Sequence, residues 1–509
     1  MAKTANTHFD LLVIGGGING TAIARDAAGR GLSVMLCERD DLANHTSSSS
    51  TKLIHGGLRY LEHFEFKLVR EALIERERLL RAAPHIIWPM RFVLPYDKGL
   101  RPAWMLRMGL FLYDSLGGRE LLPGTKTISL RTAPHKSVLE PRLTKGFEYS
   151  DCWVEDARLV VLNAVDAQAR GAVISTRTEV LDLNAVPKGY EAKIKDKKGT
   201  RKITAHAVVN SAGPWVDEIL GRLSKDGKEQ AKDDKGLRLV KGSHIVTRRL
   251  FKGDHSYIFQ NADNRIIFAI PYEGDHTLIG TTDVPYDYAP GPVKISPEET
   301  SYLCEAANEY FQDDITPDDV LWSYSGVRPL YDDKSDDASA VTRDYVLDID
   351  EFTEGSPFLS IYGGKITTSR KLAEHALQKL TPFFIKGRTE GLGGDWTETA
   401  GFPGGDIINA DFESFFSACE LRYPEVPRDI LFRLARAYGT RISLVLGSSG
   451  SLGKMFGAGL SESEARYLAG HEFVTRADDI MWRRSKLGLH MSEAERESFT
   501  AWFEGTLAS

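Results

Sequence analysis

The sequence predicts an α/β protein: a Rossmann-like dinucleotide-binding domain, a mixed-sheet substrate domain and a C-terminal helical domain. Three observations carry that prediction. The chain opens as strand, glycine-rich turn, helix and strand. A middle stretch is rich in β-branched and aromatic residues. Beyond Asp406 the pattern turns helical. With 42% hydrophobic and 27% charged residues over 509 positions, the composition is that of a globular protein, not a disordered or fibrous one.

The first unit is the most informative. Phe9 to Ile14 is a short apolar run, as a strand buried on both faces requires. Thr21 to Arg30 has helical composition, with Gly29 and Gly31 as stop signals, and Ser33 to Cys37 is a second apolar run. Between strand and helix lies Gly15-x-Gly17-x-x-Gly20. Gly15 permits the tight turn, Gly17 lets the backbone approach a pyrophosphate, and Gly20 allows close packing of helix on sheet. The helix N-terminus offers unpaired N–H groups to phosphate. Glu38 ends the second strand, 18 residues beyond Gly20, close to the spacing of a ribose ligand. Its charge disfavours a 2′-phosphate, although the neighbouring Arg39 leaves NADP open.

Further along, Ala207 to Asn210 reads as a buried strand ended by Gly213-Pro214, and Arg222 to Arg238 as a solvated loop. Lys241 to Asp283 is strand-like, with turns at Asn261 to Asn264 and Glu273 to Asp275. Asp332 to Asp337 reads as an acidic loop. Lys386 to Asp406 is rich in glycine and reads as a linker. Ser461-x-x-Glu464 and Ser492-x-x-Glu495 have the form of capping boxes in the helical tail.

A net charge of −7 argues against a nucleic-acid binder. Four cysteines stand far apart, without a C-x-x-C pair, so neither a metal site nor a redox dithiol is expected. The polar N-terminus lacks an apolar signal segment, which points to a reducing cytoplasmic location. No stretch reaches the roughly 18 apolar residues of a membrane span. Lys67 to Arg119 nevertheless carries a surplus of five positive charges, and Trp104 to Tyr113 interleaves aromatics and aliphatics with Arg107. Such a helix suits either a membrane interface or a core beneath a basic surface.

Two features bear on which dinucleotide is bound. Ala207 to Gly213 resembles the later strand and turn that flavoproteins place near the bound dinucleotide. Gly363-Gly364 leads from a strand into a helical run, Ser369 to Leu380, whose N-terminus suits the pyrimidine edge of a reduced flavin. Both favour FAD over NAD. Around them stand groups suited to an anion: Lys52, His55, Arg59 and Tyr60 soon after Glu38, then His244, Arg328, Arg343 and Lys365. Planar guanidinium forks suit phosphate or carboxylate.

These segments resemble the FAD-dependent, quinone-linked glycerol-3-phosphate dehydrogenases in their bacterial aerobic form. The resemblance runs through Leu12 to Gly20, Ser50 to His63, Glu148 to Arg158, Lys241 to Val246, Ile279 to Val284, Trp322 to Leu330, Gly363 to Thr368 and Ala477 to Lys486. It implies oxidation of sn-glycerol 3-phosphate to dihydroxyacetone phosphate, with electrons passing to FAD and then to a membrane quinone. It implies substrate contacts at Arg59, Tyr60, His244, Arg328, Arg343 and Lys365. Cofactor contacts are expected at Gly15, Gly17, Gly20, Glu38, Ser49, Gly213, Gly364, Lys365 and Thr367.

Alcohol oxidation needs a base and a stabilised alkoxide. His244 is the first choice of base and His55 the second, with Lys365 and Arg328 at the developing charge and Arg343 and Arg59 on the phosphate. The expected partition places the FAD part at about 1–80, 145–240 and 340–385, and the substrate part at about 81–144 and 241–339. A linker at 386–406 and a helical domain at 407–509 complete it. The expected setting is the cytoplasm, at the inner face of the cell membrane, with homodimerisation left open. An oxygen-using glycerol-3-phosphate oxidase and a flavin amine or amino-acid oxidase remain alternatives. A flavin-containing RNA-modifying protein is disfavoured by the acidic balance.

Overall fold

The computed structural model describes residues 7–97, 102–225, 228–229, 237–261, 263, 265–331, 344–385 and 392–507. Among the described residues two ten-stranded sheets form the body, and the chain passes back and forth between them. The first leg lies in the first sheet: β1 (His8–Ile14), α1 (Ile18–Gly29) and β2 (Val34–Cys37). β1 and β2 are parallel, with Leu11 opposite Val34, and all four residues of β2 are buried. Burial on both faces is why these strands read as unbroken apolar runs.

The second leg builds four strands of the second sheet, with two helices: β3 (Leu53–Ile54), α2 (Phe66–Ala82), β4 (Ile87–Tyr96), α3 (Ala103–Leu116), β5 (Lys126–Ser129) and β6 (Lys145–Val154). β6 pairs antiparallel with β3, β4 and β5. The expected boundary at 145 therefore moves to Glu155, because the whole of β6 belongs to the second sheet.

The chain then returns through α4 (Asp156–Ala169), β7 (Val173–Ser175), β8 (Glu179–Val186), β9 (Gly189–Asp196), β10 (Gly199–Asn210), α5 (Val216–Gly221), β11 (Leu223–Lys225) and β12 (Lys228–Glu229). β10 runs parallel to β1, setting Asn210 beside Ile14. The stretch expected as a solvated loop after Arg222 instead begins with a strand. β11 extends the sheet by pairing parallel with β8, its Leu223 buried opposite Leu183.

The fourth leg completes the second sheet with β13 (Leu237–Arg248), β14 (Ser256–Gln260), β15 (Ile266–Tyr272), β16 (His276–Gly280), β17 (Val284–Pro285), α6 (Pro297–Asn308) and β18 (Val320–Tyr331). The fifth leg, β19 (Val346–Thr353), β20 (Ser356–Tyr362) and α7 (Ser369–Ile385), closes the first sheet by pairing β20 parallel with β10. The acidic stretch Asp332 to Asp337 lies outside the described residues.

The described part of the expected linker, 392–406, is a packed strap. The guanidiniums of Arg25 and Arg170 lie 5.0 and 3.7 Å from the ring centroid of Trp396, and Phe402 takes Arg25 at 4.2 Å. Phe402 N donates to Ala82 O at 2.9 Å. The glycine content signalled a free spacer, but two aromatic anchors hold it down. Beyond it α8 (Phe412–Arg422), α9 (Arg428–Tyr438), α10 (Ile442–Leu446), α11 (Glu462–His471) and α12 (Glu493–Thr506) surround a core that includes Phe416, Leu434, Leu468 and Phe503. Ser492 and Glu495 form a reciprocal capping box. Ser461 accepts from Glu464 N, but the Glu464 carboxylate is taken by Arg433 and Tyr438, so that box is half-formed.

Candidate active site

Two cavities lie at the carboxyl ends of the parallel strands and over the second sheet. The first runs from Glu38, Arg39 and Arg222 past Gly15, Gly17 and Gly213 to Gly363 and Gly364. It lies where an open α/β sheet places its ligand crevice. Gly15 has φ +109°, and a Cβ there would come within 2.5 Å of Ser211 O. A Cβ on Gly20 would meet Gly15 O at 2.0 Å, which fixes its role as helix–strand packing, away from the cavity wall. At Gly17 a Cβ would meet only Ser47 Oγ, at 3.1 Å, so this glycine leaves room where a ligand backbone would pass. Gly17 caps α1 without a side-chain hydrogen bond. At the start of α1, Ile18 N donates to Ser47 Oγ at 3.0 Å.

Glu38 closes one end. Its Oε2 accepts from Gly16 N at 2.6 Å and its Oε1 from Asp40 N at 2.7 Å. Burial pushes its carboxyl above the usual range, against the pull of those two N–H groups. Beside it the Arg39 guanidinium lies 4.1 Å from the centroid of Trp215, and the His45 ring lies 4.6 Å from the same indole. Trp215, His45 and Asn19 were not singled out in the sequence; the only trace of Trp215 is its place just after Gly213-Pro214. Asn19 Nδ2 donates to Gly363 O at 3.1 Å, while its buried Oδ1 has no partner. The double glycine thus meets the Gly15 turn at the far end of the crevice, both glycines at positive φ. An elongated trough with an acid at one end, bare helical N–H groups in the middle and an unpartnered amide at the other fits a flavin dinucleotide.

The second cavity, about 510 Å³, is lined by His55, Tyr60, Thr281, Asp283 and Arg328 and by an apolar wall from α3 and β15. Arg328 Nη2 reaches Asp283 Oδ1 at 2.5 Å and Thr282 O at 2.8 Å. Lys365 stands with its Nζ 4.0 Å from the Tyr60 ring centroid. Thr367 Oγ1 accepts from His55 N at 3.3 Å, so it supports the cavity wall. The structure therefore brings Tyr60, Arg328, Lys365 and His55 together. Arg343 lies outside the described residues, and of Arg59 only the backbone, in the short helix Leu58–His63, is described.

His244 lines neither cavity. It is buried on β13, with Nε2 3.0 Å from Thr51 Oγ1 and Nδ1 lacking a partner. Burial, then the charges of Lys52 and Arg328, hold its pKa well below the usual value, so it is a neutral imidazole. Lys52 was expected among the anion-binding cations. It is instead fully buried, its Nζ 2.9 Å from both oxygens of Asp156 and 3.1 Å from Ser48 O. Ser49 packs on Gly326, whose Cβ would come within 2.7 Å of Ser49 Cβ.

The comparisons agree with this geometry. A family model described as FAD dependent oxidoreductase matches residues 10–370. The chain is 51% identical to D-erythritol 1-phosphate dehydrogenase of Brucella abortus, with 97% of each chain covered. It is 50% identical to a glycerol-3-phosphate dehydrogenase of Pseudomonas aeruginosa, covering 96% of this chain and 93% of the relative. It is 47% identical to the aerobic glycerol-3-phosphate dehydrogenase of Escherichia coli, covering 97% of each. The structure of glycerol-3-phosphate dehydrogenase from Bacillus halodurans, complexed with FAD, superposes with a TM-score of 0.70 at 27% identity, covering 100% of this chain and 95% of that one. Matched over most of its length by the family model and end to end by these relatives, the chain belongs to the FAD-dependent oxidoreductases.

Proposed function

We propose that the chain oxidises sn-glycerol 3-phosphate to dihydroxyacetone phosphate and passes the electrons through FAD to a membrane quinone. The observation that carries this reading is the second cavity, where Arg328, Lys365, Tyr60 and His55 converge beside the flavin crevice. The identities to glycerol-3-phosphate dehydrogenases support the substrate. When bound, FAD accepts the hydride of the alcohol carbon at N5.

The chain's own groups do the rest. Arg328 and Lys365 stabilise the developing alkoxide, and Arg59, Tyr60 and Arg343 hold the phosphate. Two histidines are candidates for the hydroxyl proton. His244 is kept neutral, and its Nδ1 is one of several buried side-chain atoms without a partner among the described residues, but it lines neither cavity. His55 stands on the cavity wall and is the better placed of the two. Phe64, Phe66, Trp104, Met105 and Met108 line the same cavity and are exposed, and Phe111 is exposed on the same helix α3. We take this apolar rim as the face that meets the inner surface of the membrane, where a quinone dissolves. Among the described residues no helix is long and apolar enough to span a bilayer.

A second reading stands on the Brucella relative. D-erythritol 1-phosphate is one carbon longer, and the roomy cavity favours it as an alternative or additional substrate. The test is anaerobic. Glycerol 3-phosphate, D-erythritol 1-phosphate and glycine are each added to the holoenzyme, and bleaching of the flavin is timed. A quinone analogue and oxygen are then compared as oxidants. Fast bleaching by glycerol 3-phosphate with quinone the faster oxidant supports the first reading. Bleaching by the erythritol ester alone replaces the substrate, and bleaching by glycine alone overturns both.

A further inference from the structure

The tail segment Ala477 to Lys486 touches neither cavity, yet it grips the loop that walls the first. Asp479–Arg484 forms a single π-helical stretch. Arg484, fully buried, places Nη1 2.7 Å from Asp41 Oδ2 and Nη2 2.8 Å from Asp41 Oδ1. Arg483 Nε donates to the same carboxylate. Asp41 is itself 1% exposed. Such a forked, desolvated pair fixes position as well as charge.

Asp41 sits in the middle of the loop that follows β2. Glu38, Arg39, Ala43, Asn44, His45 and Ser47 of that loop line the crevice. The side chain of Asp41 turns the other way, into the tail. Two residues on, Ala43 holds φ +59°, a left-handed conformation that a non-glycine residue keeps only under constraint. A second hold comes from the same stretch. Asp479 Oδ1 accepts from Arg177 Nη2 at 2.7 Å, and Arg177 N donates to Asp40 O at 2.9 Å. The loop is thus pinned at Asp41 by side chain and at Asp40 through Arg177, both from Asp479–Arg484.

We propose that Asp479–Arg484 is a clasp for cofactor retention: by fixing the 38–47 loop it holds FAD at the Glu38 end of the crevice. The helical tail then has a positioning role in the site without touching the cofactor.

The test follows flavin release from diluted holoenzyme by the rise in flavin fluorescence, beside thermal unfolding. Three variants are compared. Asp41→Leu/Arg484→Met replaces the buried pair by apolar groups, a change folds often tolerate. Arg177→Met cuts the second hold at a side chain that is 23% exposed. Arg436→Leu loosens the tail elsewhere, where Arg436 stacks on Trp88 at 4.8 Å and donates to Pro84 O, remote from the crevice lining. The expected result is release faster by about tenfold in the first and threefold in the second, with the third within twofold. Unchanged release in the first two overturns the proposal. Release that tracks the loss of melting temperature equally in all three also overturns it, because the tail would then be acting only through general stability.

Discussion

The imidazole of His244 lies on the phenol of Tyr324, ring centroids 4.8 Å apart and planes 17° from parallel. Tyr324 in turn donates to Ser50 O at 2.8 Å, and Thr51 Oγ1 meets His244 Nε2 at 3.0 Å. Two consecutive residues, Ser50 and Thr51, therefore fix one histidine ring in place, the first through Tyr324. If that ring is the base, His244→Asn lowers kcat by about 10²–10⁴-fold with KM little changed. The acidic limb of the kcat profile in the native enzyme lies below pH 6.5, since burial depresses this imidazole. Steady-state rates over pH check both, and a larger kcat loss in His55→Asn transfers the role to His55.

Lys52 and Asp156 are 0% and 1% exposed in their side chains. Lys52→Met leaves Asp156 buried without its partner and costs about 3–5 kcal/mol of stability, read from urea unfolding. Lys52→Met/Asp156→Leu recovers much of that loss. Recovery of stability without recovery of kcat would show that the pair also aligns Thr51 against His244.

Arg328 is shared between Asp283 and the cavity. Arg328→Lys keeps the charge but loses the planar fork at the developing alkoxide, and kcat falls at least about tenfold with KM for glycerol 3-phosphate little changed. Asp283→Asn frees the guanidinium from its carboxylate, so kcat rises a few-fold. Initial-rate measurements decide, and a lowered kcat in Asp283→Asn would show that the acid positions the arginine instead of competing for it.

The aromatic rim is separable from the fold. Trp104 and Phe111 are each 64% exposed. Trp104→Ser/Phe111→Ser reduces co-sedimentation with anionic vesicles severalfold while stability stays within about 0.5 kcal/mol. Retained vesicle binding would place the membrane face elsewhere.

His85 is fully buried at the joint of body and tail, where Gly404 and Gly439 pack against its ring. Burial, then the charges of Arg158 and Arg436, lowers its pKa to about 3. The unfolded chain takes up this proton near pH 6.5, the folded one only near 3. Its contribution to stability is thus full above about 6.5 and is lost as pH falls between those values. His85→Gln flattens the acid destabilisation in that window, read from melting temperature against pH.

Much of the cofactor crevice was legible because its signals are local. Gly15, Gly17, Gly20 and Glu38 fall within one strand–helix–strand unit, and each job is dictated by backbone space or by spacing. Gly363-Gly364 was legible for the same reason. What escaped was set by distant partners. Lys52 looked like a ligand for an anion until Asp156 claimed it, and the Asp41–Arg484 fork joins residues far apart in the chain. The strap at 392–406 misled because glycine content masks two aromatic anchors. β11 escaped because a three-residue strand in charged surroundings has little period to read.

The back-and-forth path between the two sheets has a consequence for synthesis on the ribosome. β1 emerges first, but its parallel neighbour β10 ends at Asn210, and β10 in turn waits for β20, which ends at Tyr362. Pairings this distant in sequence form slowly and leave apolar strands uncovered meanwhile. The nascent chain must therefore shelter the open edge of β1 until Asn210 has been made, and that of β10 until Tyr362, when most of its length has been translated.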